Sequence, residues 1–224
     1  MTLNTWPIYE KPREKLLNAG ADSLSNAELL ALLLGQGTFG KDAVTLAREL
    51  IQSYDGLQNL FQASYPSLSA HRGIGLAKYT CLQAAYELGK RCLKEPLARE
   101  NLLLESHAVK QYLIAELRGA EREIFACLFL DTRFRLIRFE KLFAGTIDAA
   151  VIHPREVTKR ALVLNAKAVI VAHNHPSGDI EPSQADRNLT VHLTQSLNTV
   201  EIDLLDHIIV GAQNTFSFAE FGYL

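Results

Sequence analysis

The hydrophobic pattern of the chain changes near residue 100, and this change limits the fold to a two-part arrangement. Over residues 16–60, leucines recur at three- and four-residue spacings, which is the period of amphipathic helices. After the change, short apolar runs such as residues 123–130 alternate with helical stretches. We therefore predict a small all-α helical domain over residues 1–95, followed by an α+β or α/β sandwich over residues 102–224.

Local signals mark the ends of several helices in the first half. Residues 25–28, Ser-Asn-Ala-Glu, predict a capping box, in which the serine accepts from an orphan amide and the glutamate reaches back; Gly35 ends the helix that follows. Further helices are predicted over residues 41–54 and 76–93. Residues 94–99 contain a proline and mixed charge, and we interpret them as a linker to the second half.

Turn residues bound the strands predicted in the second half. Residues 123–130 are nearly all apolar, which is typical of a strand buried on both faces, and residues 134–140 alternate as a hairpin partner would. Two helices are expected, one starting at Pro154 and one over residues 183–197. The remaining strands are predicted over residues 168–172, 202–210 and 215–218.

Composition excludes several classes of protein. Hydrophobic residues make up 48% of the chain and charged residues 21%, which excludes a disordered tail, collagen or a low-complexity scaffold. The longest apolar runs fall far short of the roughly 20 residues that span a bilayer. The first residues lack the apolar core of a signal peptide, so we expect a cytoplasmic protein with no membrane partner. The formal net charge of −2 gives neither half the basic excess of a protein that relies on neutralising phosphates.

The cysteines do not point to a functional site. Cys81, Cys92 and Cys127 form no Cys-x-x-Cys pair and are odd in number, so neither a disulfide framework nor a thiolate zinc site is indicated. We expect all three to be buried small hydrophobic residues.

The segment from His173 to Asp186 contains the candidate metal-binding residues of this chain. It follows the predicted strand directly, and His173 and His175 stand two positions apart. On a strand this spacing puts both rings on one face, where their nitrogens can reach one ion at about 2 Å each. Asn174 then points elsewhere. Asp186 falls in the first turn of the next helix and offers a third ligand, leaving a fourth position open, as in a catalytic zinc site.

A purely structural interpretation of the same residues stays open at this point. A His-x-His pair at the end of a strand can be ordinary surface polarity. Ser183 and Asp186 have the spacing of a helix cap, with the serine at the N-cap and the aspartate near the positive end of the helix. The two interpretations are compatible, because a capping serine can present its hydroxyl while Asp186 faces a metal.

These residues resemble a known family. His-Asn-His-Pro-Ser-Gly followed by Pro-Ser-Gln-Ala-Asp is similar to the JAMM motif of MPN-domain metalloproteases and to the bacterial RadC family. Nearly the whole chain shares the resemblance, through the segments 12–17, 28–30, 122–125, 154–157 and 205–211. The resemblance implies one Zn²⁺ held by His173, His175 and Asp186. It also implies an α+β fold in which a JAMM/MPN (cytidine-deaminase-like) mixed-sheet sandwich with flanking helices follows the helical domain.

The resemblance also implies an activity and its catalytic residues. Members of the JAMM family are zinc-dependent metallopeptidases, so the expected substrate is a peptide or isopeptide and the expected reaction is hydrolysis of an amide. Glu123 matches the glutamate that activates the zinc-bound water as general acid and base, and Ser183 matches the donor to the oxyanion. From the residues alone, Glu121, Glu140 and Glu156 are alternatives to Glu123.

The alternative function is that of a DNA-associated protein, related to repair or recombination, in which the zinc site is nucleolytic or structural. The segment from Gly73 to Lys78, Gly-Ile-Gly-Leu-Ala-Lys, resembles a helix-hairpin-helix turn, where glycines let backbone amides approach a phosphate. Against this, a Gly-x-Gly turn is more often a tight connection between helices. The two functions differ in their tests, since DNA binding falls steeply with salt.

Asp206 and His207 suggest a catalytic pair by their types. Neighbouring residues of a strand point to opposite faces, so a direct pair is not expected, and one of the two can instead support a metal ligand from behind. We interpret His107, His153 and His192 as structural or solvated.

Overall fold

The structure of the protein is a computed structural model, which describes residues 6–102, 106–145, 152–212 and 214–224. The chain divides into two compact units, residues 1–89 and 90–224. Buried hydrophobic clusters lie within each unit, one in the first and two in the second. Within the described residues, no helix is both long enough and apolar enough to cross a membrane.

The first unit is built from helices. In chain order these are α1 (Pro12–Ala19), α2 (Asn26–Leu34), α3 (Ala43–Ser53), α4 (Leu57–Gln62), α5 (Tyr65–Ser69) and the start of α6 (Leu76–Arg99). Leucines and alanines of α2 and α3, including Leu30, Ala47 and Leu50, form its core with Leu60 and Leu82. The helical first half predicted from leucine spacing is therefore present.

The capping box at the start of α2 is confirmed. The Ser25 hydroxyl accepts from the Glu28 amide at 3.3 Å, and the Ser25 amide donates to Glu28 Oε2 at 2.7 Å. The helix ends at Gly35, whose φ of +70° a residue with a Cβ rarely adopts. Glu28 also accepts from the ammonium of Lys15, at 3.0 Å, which ties α1 to the start of α2.

The predicted linker over residues 94–99 is wrong, because these residues belong to α6. Pro96 stands inside this helix, where its ring removes one backbone hydrogen bond. The helix continues all the same, since the side chain of Leu97 is fully buried in the core of the second unit and the Glu100 amide donates to the Pro96 carbonyl at 2.9 Å. Tertiary packing thus outweighs the local preference of proline.

The second unit is a five-stranded mixed sheet with helices on both faces. Its strands are β1 (Ile124–Leu130), β2 (Leu136–Ala144), β3 (Ala168–Asn174), β4 (Asp203–Val210) and β5 (Thr215–Ser217), and its further helices are α7 (Ser106–Leu117), α8 (Pro154–Val163) and α9 (Gln184–Asn198). The order across the sheet is β2-β1-β3-β4-β5. Only β3 and β4 run parallel among these neighbours. The predicted α+β class is confirmed.

Alternation along the central strands assigns each residue to one of two cores. In β1, Ala126, Leu128 and Leu130 pack with α7, whereas Phe125, Cys127 and Phe129 pack with α8 and α9. The same alternation in β3 places Val169 and Val171 on the face of α8 and α9. His173, two residues further on, belongs to that face. The sheet therefore presents the end of β3 to α9.

The cysteines differ from the expectation. Cys127 is fully buried, but Cys81 and Cys92 are exposed on α6. Both lie on a long helix with a solvent-exposed face, and their position on that face, rather than the apolar character of cysteine, determines their exposure. The described part of the chain has no disulfide, as expected from the spacing.

Candidate metal centre

Two imidazoles and one carboxylate converge beyond the end of β3. The Nε2 atoms of His173 and His175 lie 3.0 Å apart. Asp186 Oδ1 is 3.2 Å from the first of these nitrogens, and Asp186 Oδ2 is 3.7 Å from the second. His173 and Asp186 are buried and His175 is half-buried, and the three side chains form a group that can hold a metal ion.

The backbone around β3 explains why both histidines face the same way. His175 lies one residue beyond the strand, yet its amide still donates to the Val210 carbonyl of β4, at 3.0 Å. Asn174, between them, points elsewhere as expected. Its side chain accepts from the Ile124 amide at 2.8 Å and donates to the Arg122 carbonyl at 3.1 Å. Asn174, between the two candidate ligands, therefore fixes the start of β1.

Asp186 is fixed by the capping box of α9. The Ser183 hydroxyl accepts from the Asp186 amide at 3.2 Å, and the amide and hydroxyl of Ser183 donate to Asp186 Oδ2 at 2.8 and 2.6 Å. Both proton donors thus engage Oδ2, while Oδ1 is the oxygen nearer to His173. Asp186 is both the third residue of the capping box and the candidate ligand, so the structural and metal-binding interpretations are compatible.

In each of His173 and His175, the Nδ1 atom, which does not face the group, has a hydrogen-bond partner of its own. The Nδ1 atom of His175 lies 2.9 Å from the Asp179 carbonyl, which can only accept, so Nδ1 carries a proton. In the neutral form of this imidazole the lone pair is then on Nε2. The Nδ1 atom of His173 lies 2.9 Å from Nε2 of His207. Such outer partners orient metal-binding imidazoles and set which nitrogen faces the ion.

The Asp186 carboxylate and the neighbouring imidazoles shift one another's pKa values. Burial alone would raise the pKa of Asp186, but hydrogen bonds to His173 and His175 outweigh it and hold that pKa well below its ordinary value. The hydrogen bond to Asp186 raises the pKa of His175, and the negative charge of Glu123 adds to this. Burial and the neighbouring His173 lower the pKa of His207, which favours the neutral form of this imidazole.

The register of the sheet brings Glu123 towards the group. Strand β1 pairs antiparallel with β3, and Phe125 stands opposite His173. Extending this register by two residues puts Glu123 opposite His175 on the same face. The Glu123 carbonyl accepts from the Gly145 amide at 2.8 Å, which keeps the chain extended there.

The three glutamates that are alternatives to Glu123 are either paired with an arginine or exposed. Glu140 accepts from the guanidinium of Arg160, at 2.6 Å to Nε. Glu121 and Glu156 are exposed, and Glu156 lies 3.4 Å from Nε of Arg155. Among the four glutamates, Glu123 is the one whose charge acts on a histidine of the group.

Comparison with known proteins identifies the family. The family described as RadC-like JAB domain matches residues 103–223, and that described as UPF0758 N-terminal matches residues 3–80. The chain belongs to the RadC-like family. UPF0758 proteins of Nitrosococcus oceani, Thioalkalivibrio sulfidiphilus and Coxiella burnetii are 52%, 53% and 51% identical to this RadC-like chain, over the whole length of both sequences. The resemblance seen in the sequence motifs is confirmed.

The donor set of the RadC-like domain fits zinc. A tetrahedral ion with bonds of about 2 Å separates its ligand atoms by about 3.3 Å. The two Nε2 atoms lie 3.0 Å apart and His173 Nε2 lies 3.2 Å from Asp186 Oδ1, whereas the contact of His175 Nε2 with this carboxylate is 3.7 Å, to Oδ2. Two imidazoles and a carboxylate are ligands that zinc accepts in hydrolytic enzymes. Within the described residues, the group contains only these three ligands, which is the number a catalytic zinc takes from its protein.

Two residues near the site were not identified as a pair from the sequence. His207 Nδ1 lies 2.7 Å from the hydroxyl of Thr190, which donates to the Asp186 carbonyl at 2.7 Å. The sequence predicts a supporting role for one of Asp206 and His207 without choosing between them, and it predicts none for Thr190. Asp206 faces away, since its carboxylate accepts from the Ser217 hydroxyl at 2.6 Å and lines a cavity with Ile170 and Ile208. The expected separation of Asp206 from His207 is confirmed.

Residues of the segment from Gly73 to Lys78 make structural contacts within the first unit. Gly73 adopts a φ of +95°, and a Cβ there would come within 2.5 Å of Thr38 Cβ. The ammonium of Lys78 donates to the carbonyls of Gln36 and Gly37, at 2.6 and 3.2 Å, and burial lowers its pKa. Both residues thus contact the loop that follows α2 and hold this turn against it.

Proposed function

We propose that this RadC-like protein is a zinc-dependent metallopeptidase or amide hydrolase of the JAMM type, acting on a peptide or isopeptide. One observation carries the proposal: Nε2 of His173, Nε2 of His175 and the carboxylate of Asp186 lie within 3.7 Å of one another. The strand register, extended by two residues, places Glu123 beside them. A purely structural cap would not require two imidazoles with both Nδ1 atoms engaged and both Nε2 atoms turned to one point.

The three proposed ligands bind the metal, and the glutamate transfers the proton. His173, His175 and Asp186 would hold the ion. When bound, zinc lowers the pKa of a coordinated water from about 15.7 to about 7. Glu123 accepts a proton from the attacking water at a carboxylate oxygen and returns it to the amine that leaves. The asymmetry of the Asp186 carboxylate favours binding through Oδ1, because Ser183 donates two hydrogen bonds to Oδ2.

Ser183 is the proposed donor to the oxyanion. Its hydroxyl stands at the N-terminus of α9, beside Asp186, where the helix dipole also favours negative charge. In the present geometry the hydroxyl proton is directed at Asp186 Oδ2, so the hydroxyl must turn towards the substrate as the tetrahedral oxygen develops. A donor of this kind contributes about 3 to 4 kcal/mol to the transition state.

The test combines metal content with cleavage. Purified protein is analysed for metal and incubated with a mixed library of unmodified peptides and lysine-branched isopeptides, and new amino termini are identified by mass spectrometry. We expect one zinc per chain and cleavage that is lost in Glu123→Gln while the zinc remains. The matched control is Glu121→Gln, an exposed glutamate two residues away, which should cleave like the parent.

Two results would contradict the proposal. A protein that contains no zinc and takes none up has no centre of this type. Equal cleavage by Glu123→Gln and Glu121→Gln would remove Glu123 as the proton acceptor.

A further inference from the structure

A chain of hydrogen bonds joins the three elements that surround the metal group. It runs from His173 Nδ1 to His207 Nε2 at 2.9 Å, from His207 Nδ1 to the Thr190 hydroxyl at 2.7 Å, and from that hydroxyl to the Asp186 carbonyl at 2.7 Å. His173 is on β3, His207 on β4, and Thr190 and Asp186 on α9. All four residues are buried. The chain therefore links one proposed zinc ligand to the backbone of another.

When both imidazoles are neutral, the available protons allow only one assignment of donors and acceptors along these hydrogen bonds. The Asp186 carbonyl can only accept, so the one proton of the Thr190 hydroxyl is used there. Thr190 must then accept from His207, whose proton is on Nδ1. A neutral imidazole carries one proton, so His207 Nε2 is an acceptor and takes the proton of His173 Nδ1. Nε2 of His173 is left with its lone pair directed at the metal group.

We infer that His207 is a positioning residue for metal binding: through Thr190 it is fixed as an acceptor, and as an acceptor it fixes the tautomer and orientation of His173. This inference rests on the proposed zinc site. His207 is hydrogen-bonded directly to one proposed ligand, His173, and reaches the backbone of Asp186 only through Thr190. Partners of this kind change metal affinity by about 10- to 100-fold when they are removed.

The packing of His207 can be separated from its hydrogen bonds. Its ring stacks on Phe218, with centroids 4.7 Å apart and planes 14° apart, and meets the edge of Phe125 at 6.2 Å. A phenylalanine at position 207 keeps an aromatic ring between these neighbours but offers no acceptor to His173. A glutamine at this position keeps an amide oxygen that can accept and an amide nitrogen that can donate.

The experiment measures metal affinity rather than activity. Metal-free protein is titrated with Co²⁺ in the presence of a competing chelator, and the visible bands of the bound ion report both affinity and tetrahedral geometry. We expect His207→Phe to bind Co²⁺ about 10- to 100-fold more weakly than the parent. His207→Gln should recover most of this loss. The matched control is His192→Gln, an exposed histidine of α9, which should leave the affinity unchanged.

Thr190 gives a second pair of variants that keep His207 itself. Thr190→Val has the same shape but no hydroxyl, so it leaves His207 Nδ1 without its acceptor, whereas Thr190→Ser keeps the hydroxyl. Two-bond ¹H–¹⁵N correlation spectra of the histidine rings distinguish the Nδ1-protonated and Nε2-protonated tautomers. We expect His173 to be Nδ1-protonated in the parent loaded with Zn²⁺, and Thr190→Val to bind Co²⁺ more weakly than Thr190→Ser.

The possible outcomes separate this inference from the proposed function. A parent that binds Co²⁺ while His207→Phe binds it equally well overturns the inference and leaves the zinc site standing. A His207→Gln variant as weak as His207→Phe also overturns it, because packing alone would then explain the loss. A parent that binds no metal overturns both. Should His207→Phe fail to fold, equal affinities of Thr190→Val and Thr190→Ser would be the overturning result.

Discussion

His175 and Asp186 approach each other to 3.7 Å, between Nε2 and Oδ2, although His175 begins the loop that joins β3 to α9 and Asp186 lies in the first turn of that helix. The loop is fixed at both ends: His175 is bonded to the Asp179 carbonyl, and Asp186 to Ser183. Local contacts that involve no ion thus bring the proposed ligands together. A site preorganised in this way binds metal with little loss of conformational entropy.

Asp186→Asn should weaken zinc binding by at least about 100-fold, because it removes a ligand itself and outer partners alone already contribute about 10- to 100-fold. Competition titration with a chromophoric chelator measures the change. Asp179→Asn is the matched control: it makes the same change of charge at an exposed position of the same loop, and the Asp179 carbonyl that holds His175 is kept. Equal affinities of the two variants would contradict the ligand role of Asp186.

Gly211→Ala should displace the loop that carries Asp179. A Cβ at Gly211 would lie 2.5 Å from Ile180 Cγ2 and 2.6 Å from the Gly178 carbonyl oxygen, so the loop has to move. We expect a lower melting temperature and weaker zinc binding, both measured on the same sample. The control is Gly89→Ala, where a Cβ meets open space within α6 and should stabilise the protein by about 0.5 to 1 kcal/mol. Unchanged zinc binding in Gly211→Ala would show that the loop does not position His175.

Local sequence rules predicted the features that depend on neighbours in the chain. The capping boxes at Ser25 and Ser183 need only a serine and an acid three residues later. His173 and His175 share a face because strand side chains alternate with a period of two. These features follow from chemistry within one short segment, so they could be read before the fold was known.

Features that depend on register could not be predicted in this way. Glu123 falls opposite His175 when the pairing of Phe125 with His173 is extended by two residues. His207 reaches His173 because β4 pairs in parallel with β3, with His207 opposite Val171. No pattern within either strand specifies this pairing, so Glu123 could be chosen only by family resemblance. The helix through Pro96 was missed for a similar reason, since the buried position of Leu97 depends on tertiary packing.

Acid should weaken the first unit through Glu28. Burial alone would raise the pKa of Glu28, but hydrogen bonds from Ser25 and the charge of Lys15 outweigh it and lower that pKa. The unfolded chain therefore takes up the proton first: the stabilisation is complete above the unfolded pKa of about 4.3 and is lost as pH falls through the lower folded pKa. Urea unfolding across this range should show a smaller acid loss in Glu28→Gln than in the parent. Identical pH profiles would contradict this.

Lys78→Met should destabilise the first unit by about 1 to 3 kcal/mol, because it removes charge-assisted hydrogen bonds to the Gln36 and Gly37 carbonyls. The control is Lys41→Met, which breaks only an exposed ion pair with Glu49 and should cost less than about 1 kcal/mol. Urea unfolding measures both.

The same variant tests the resemblance of the turn to a DNA-binding motif. A lysine that contacts a phosphate contributes about one unit to the salt dependence of duplex binding. Because the Lys78 ammonium is engaged within the fold, we expect no change in that slope, measured by fluorescence anisotropy with a labelled duplex. A slope reduced by about one unit in Lys78→Met, with normal stability, would instead assign the lysine to DNA.

Ser183→Ala separates the cap from the proposed catalytic donor. Loss of the cap should cost about 1 kcal/mol of stability, as at any such position. Loss of a donor to the oxyanion should also lower kcat by about 100- to 1,000-fold. Ser25→Ala is the matched control, since it removes the serine of the other capping box, in the first unit and outside the metal group. We expect the two variants to lose similar stability and only Ser183→Ala to lose kcat, measured on a peptide from the cleavage library. Equal kcat in both would leave Ser183 as a cap alone.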